Sequence, residues 1–172
     1  MTARHVATAA RWHTPLLTAH IVVSVGWLGA GLAVTALTLA GMTGAEPATV
    51  YPAAHLIAAW LVAPLAAASL TTGLLLVATT SWGLVTHRWV TVKLAISVLL
   101  AGVSAVLLVP RLATVAAIVT GPDPSALTSG QRLPLVLAPA AASVLLGVNV
   151  VLATAKPARL RRHAGSLRTA RS

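Results

Sequence analysis

The chain has 172 residues, 58% of them hydrophobic and only 8% charged, with a mean hydropathy of +0.90. Soluble domains carry about 25% charged residues, and a domain of this size still exposes roughly a third of its unfolded-chain surface, so water is excluded as the solvent for most of the chain. The formal charge of +10 rests on twelve Lys and Arg against Glu46 and Asp123. Because the basic residues stand at the edges of apolar stretches and near the C-terminus, they read as topology charges and as contacts to anionic lipid rather than as a nucleic-acid surface.

Four apolar stretches follow in order. The first, residues 16–39, comes after Arg4, Arg11 and Pro15; it is too long for the roughly 7–15-residue core of a signal peptide. The second, 54–77, comes after Tyr51-Pro52, and the third covers 90–109, where Pro110-Arg111 interrupts it and leaves an extension to 119 open. The segment Gly121-Pro122-Asp123-Pro124-Ser125 has the chemistry of a loop, and the fourth stretch is 133–153. Each stretch reaches the ~20 residues needed to cross a bilayer. Each must be helical, because lipid offers no partner to the backbone of an open strand. The expected fold is all-α: an antiparallel up-down four-helix transmembrane bundle over residues 1–155, with a basic, disordered cytoplasmic tail at 156–172.

Charge sets the expected orientation. Arg4 and Arg11 precede the first span, Arg88 and Lys93 open the third, and Arg159, Arg161, Arg162, Arg168 and Arg171 follow the fourth. Glu46 and Asp123 fall in the other two connections. The positive-inside rule then places both termini in the cytoplasm. Ala-rich, Arg-over-Lys usage without Phe suggests a GC-rich bacterial coding sequence, and hence an inner (plasma) membrane.

Several chemistries are ruled down. Two loop carboxylates cannot form an in-span acid/base pair. There is no cysteine, no HExxH, and no pair of histidines four apart to hold a metal. No catalytic residue can be named.

Polar residues inside apolar spans are the remaining clue, since placing them there costs free energy. By helical rise, His20 lies about 7 Å, Lys93 about 6 Å and Asn149 about 10 Å in from the cytoplasmic edge. Ser24 and Ser97 lie one turn deeper than His20 and Lys93, and Thr71 and Thr72 can face them from the second span. A shared depth on three helices points to one site. Each residue also has a plainer reading: Lys93 snorkels to headgroups, and His20 and Asn149 bridge helices by hydrogen bonds. The glycines of Gly26-Trp27-Leu28-Gly29-Ala30-Gly31, with Gly73, allow either close helix packing or room for a flat cofactor.

The run His20-Ile21-Val22-Val23-Ser24-Val25-Gly26-Trp27-Leu28-Gly29-Ala30-Gly31-Leu32, then Pro64 with Leu70-Thr71-Thr72-Gly73-Leu74, then His87-Arg88-Trp89-Val90-Thr91-Val92-Lys93-Leu94 resembles the bundle of the HemJ-type protoporphyrinogen oxidases and the CopD copper-resistance membrane domain. It is similar, more closely, to small uncharacterised actinobacterial four-helix membrane proteins. The likeness covers roughly residues 17–100. It implies a b-type haem or porphyrin site with His20 as axial ligand, Lys93 as partner to a propionate or second ligand, and His87 as an alternative ligand. Ser24, Ser97, Thr72 and Asn149 would be the supporting polar groups. The chain departs from the HemJ pattern at Ala33-Val34-Thr35-Ala36-Leu37 and at Leu99-Leu100, where a histidine is expected. The resemblance therefore carries the architecture and a haem site, and not the oxidase activity. If the chain is an enzyme, it is a haem-dependent membrane oxidoreductase. The alternatives are a cofactor-free membrane module that packs on a partner or a second copy, and a small transport protein.

Overall fold

The computed structural model describes residues 3–79, 88–123 and 127–169, and side-chain surroundings for 14–79, 91–123, 127–128 and 130–151. Among the described residues every regular element is a helix. They are α1 (Ala3–Met42), α2 (Pro47–Ile57), a π-helical turn (Ala58–Val62), α3 (Ala63–Thr79), α4 (Arg88–Val103), a second π turn (Ser104–Leu108), α5 (Val109–Val119) and α6 (Ser129–Thr169). Four segments are long and apolar enough to cross a membrane: Thr14–Met42, Pro47–Thr79, Thr91–Val119 and Gly130–Val151. The chain is thus a four-helix membrane bundle, as the hydropathy pattern requires.

Local chemistry sets the ends. Gly44 adopts φ +113°, a left-handed conformation that costs glycine nothing. With it, the N–H of Ala45 reaches back to the Ala40 carbonyl at 2.9 Å and closes α1. The Glu46 carboxylate then accepts from Ala48 N–H, and Pro47 opens α2.

Pro110 does not interrupt the third span, which stays helical from Thr91 to Val119. The reason lies just before it. A helical proline clashes with the carbonyl four residues back and cannot donate, and that residue, Val106, sits in the π turn, where Val109 N–H bonds the Ser104 carbonyl five residues behind it. Pro64 is accommodated the same way: Trp60 lies in the other π turn, and Ala63 N–H bonds the Ala58 carbonyl. The wider turns absorb both prolines, and they pack against each other in mid-bundle.

α6 does not stop at Lys156. It runs helical to Thr169 through the segment expected to be a disordered tail. Ala, Leu and Arg are good helix formers, and extending an existing helix needs no new nucleus.

α1 is the hub, packing along the second span on one side and along α6 on the other. The third span packs along the second and meets α6 only sparsely. The inward seam of α1 reads His20, Ser24, Trp27, Gly31, Val34, Thr38, Gly41, steps of four and three that repeat every seven residues. That period suits left-handed packing with small residues at close approaches. Side chains off the seam, such as Val22, Val25 and Leu32, are exposed to the surroundings.

Candidate functional site

The starts of the first and third membrane segments, at Thr14 and Thr91, and the end of the fourth, at Val151, fall at one end of the up-down bundle, and His20 lies near it. Its Nδ1 stands 2.9 Å from the Thr72 hydroxyl on α3. The Thr72 Oγ1 is 2.7 Å from the Ala68 carbonyl and 3.1 Å from that of Ser69. The single hydroxyl proton can go to one of these carbonyls or to the imidazole, so the direction of the His20–Thr72 bond follows the ring tautomer. With the proton on Nδ1, the ring donates to Oγ1 and Nε2 is left as a lone pair.

The ring is half-buried and lies against Gly73, where an added Cβ would stand 3.2 Å from Cε1. Glycine at 73 is what lets the imidazole sit flat on α3. One turn along α1, the Ser24 and Ser69 hydroxyls meet at 2.8 Å. Two hydrogen bonds thus join α1 to α3 within about a helical turn.

Not every expected member joins them. Thr71 is exposed and bonds its own Ala67 carbonyl, so only Thr72 of that pair faces α1. Lys93, partly buried on α4, is within electrostatic range of the His20 ring. Ser97 is partly buried one turn further along α4, and Asn149 is buried on α6. Neither makes a hydrogen bond to His20 or Lys93. His87 lies outside the described residues. Ser69 is the member that sequence reasoning missed. It lies three residues before Thr72, as Ser24 lies four after His20, so in antiparallel helices the two pairs fall opposite each other.

The donor set is one oriented imidazole, one ammonium and three hydroxyls. Among the described residues no group of three or more His, Cys, Asp or Glu side chains gathers, which excludes a closed multidentate metal cage there. An imidazole whose Nδ1 is held by a second residue can present Nε2 to a metal. No protein family, no curated protein and no solved structure matches this chain.

Proposed function

We propose that the chain is a bacterial inner-membrane protein that holds a b-type haem or porphyrin at the His20 end of the bundle. The observation that carries this reading is the hydrogen bond between His20 and Thr72. Nδ1 is held 2.9 Å from Oγ1, and with the ring proton on Nδ1 the contact orients the imidazole and leaves Nε2 as the ligand. His20 would bind the iron, and Lys93 would meet a propionate carboxylate or act as second ligand. Haem, when bound, supplies one-electron chemistry tuned by its axial ligand and polar neighbours. The chain's own part is to orient the ring through Thr72, to keep Gly73 open beneath it, and to balance propionate charge at Lys93. On the positive-inside rule, Arg4, Arg11, Arg88 and the basic end of α6 set this end in the cytoplasm, with both termini inside.

The test is the visible spectrum of the detergent-purified protein with and without added haemin. A Soret band is expected that is lost in His20→Ala and that shifts in Thr72→Val, where the ring loses its acceptor. Protein that takes up no haem, and whose His20→Ala variant is merely less stable, would reject the cofactor.

A second reading has its own support. His20–Thr72 and Ser24–Ser69 are both direct helix-to-helix bonds, and Gly73 brings the backbones together. On that reading the chain is a cofactor-free module that packs against a partner or a second copy. His20→Ala should then lower stability by about as much as Thr72→Val and change nothing in the spectrum.

A further inference from the structure

The opposite end of the bundle buries two polar atoms that no group among the described residues meets. Tyr51 on α2 is wholly buried and its Oη has no hydrogen-bond partner. The Nε of Arg132, in the first turn of α6, is also buried without one.

Local sequence brings both to one place. The Gly44 turn folds α2 back along α1 and seats the Tyr51 ring on Gly41, where an added Cβ would lie 3.0 Å from Cζ. On α6, Gln131 Oε1 accepts the Thr128 N–H at 2.9 Å, a capping box that fixes where the helix starts. Arg132 is the next residue, and its Nη1 donates to the Gly41 carbonyl at 3.4 Å. Both side chains converge on Gly41.

An Nε–H can only donate, and a phenol can donate too. Leaving such a group buried and unmet costs about 1–3 kcal/mol, so the pair calls for an accepting oxygen. Charge selects its kind. Among the described residues no carboxylate pairs with Arg132, and the nearby Glu46 caps α2 instead. The N-terminus of α6 adds the positive end of a helix dipole. Arg132 is only partly buried, so an anion can approach its guanidinium from outside, and reaching the enclosed Nε and Oη then takes a shift of the side chains around them.

We propose that Tyr51 and Arg132 form a binding site for a phosphate-class anion, with Oη–H and Nε–H donating to its oxygens. At the edge of a membrane span that chemistry is carried by a phospholipid headgroup or by free phosphate. The site is independent of the haem reading, because it lies at the far end of α1.

The test uses the full chain purified in detergent. Native mass spectrometry counts retained phosphatidylglycerol, and a melting curve with and without inorganic phosphate reports the soluble ion. Wild type should retain phosphatidylglycerol, and Tyr51→Phe, which keeps the ring packing, should weaken that retention about tenfold. Arg132→Gln should abolish it. Protection by inorganic phosphate that Tyr51→Phe loses, without lipid retention, would support the site and name the free ion as its ligand. Because the basic end of α6 is common to all variants, lipid held there cannot produce a difference. Equal retention in wild type and Tyr51→Phe, with no phosphate protection of either, would overturn the proposal and leave only water between the two donors.

Discussion

The two ends of the α1 seam solve the same problem in opposite ways. At the Gly41 end, Val34 and Thr38 are fully buried against a core that includes Tyr51, Ala54, Leu112 and Leu135. Packing is tight there, yet two polar atoms stay unmet. At the His20 end, about 32 Å away along the helix, His20 and Ser24 are only half-buried, while their polar atoms are paired across to α3. Lipid gives helices no hydrophobic reason to associate, so close packing and interhelical hydrogen bonds must do so. Here the two devices are weighted differently: close contact dominates at the Gly41 end, beside one long Arg132–Gly41 hydrogen bond, and paired side-chain hydrogen bonds dominate at the other.

The sharpest way to break that division is Gly41→Ala. The new methyl would stand 2.9 Å from Val50 Cγ2 and 3.0 Å from Tyr51 Cζ, so α1 and α2 must move apart. Overpacking of this kind costs about 1–3 kcal/mol. Denaturant-induced unfolding of the purified protein should show the loss. The control is Gly102→Ala on α4, where nothing lies within 4 Å of the new Cβ; it should be neutral or gain up to about 1 kcal/mol from helix propensity. Equal losses at both positions would mean that the Gly41 contact is not what holds that end.

At the other end the expected effects are smaller. Thr72→Val keeps the volume and removes the hydrogen-bond partner of His20, and interhelical bonds in bilayers average about 0.6 kcal/mol with a maximum near 1.7. A loss of about 1 kcal/mol in the same unfolding measurement is expected. For Ser24 and Ser69, a double-mutant cycle to alanine should return a coupling of about 0.6 kcal/mol. A coupling near zero would show that their 2.8 Å contact is incidental, and the His20 end would then rest on Thr72 alone.

The spans were legible because bilayer thickness dictates their length and lipid dictates helix, constraints that need no tertiary knowledge. His20 and Lys93 were legible because a polar group in an apolar span is costly enough to stand out. Ser69 was not, since serine is common here and only the antiparallel register sets it opposite Ser24. Tyr51 read as a flank of the second span, and Arg132, at the edge of the fourth, carried no functional signal. Their meeting depends on how the Gly44 turn and the Thr128–Gln131 cap aim two helices at Gly41. The π turns were hidden too, although Pro64 and Pro110 mark where each must lie. Proline announces a broken bond, but whether the helix kinks or widens is decided by its neighbours.

The smallest expected effect lies midway between the ends. The Ser143 hydroxyl on α6 is buried without a partner beside Gly31, and it lines a cavity of about 20 Å³ with Trp27, Ser104 and Pro139. That volume admits about one water. Removing an unmet hydroxyl deletes a desolvation cost along with the group, so Ser143→Ala should unfold within about 0.5 kcal/mol of wild type. A near-neutral Ser143→Ala beside a weakened Thr72→Val would leave the centre of the bundle without a hydrogen bond that holds it. A loss at Ser143 as large as that at Thr72 would mean that water in the cavity ties α6 to its neighbours. The bundle would then be fastened at its centre as well, and the contrast between its ends would be one of degree.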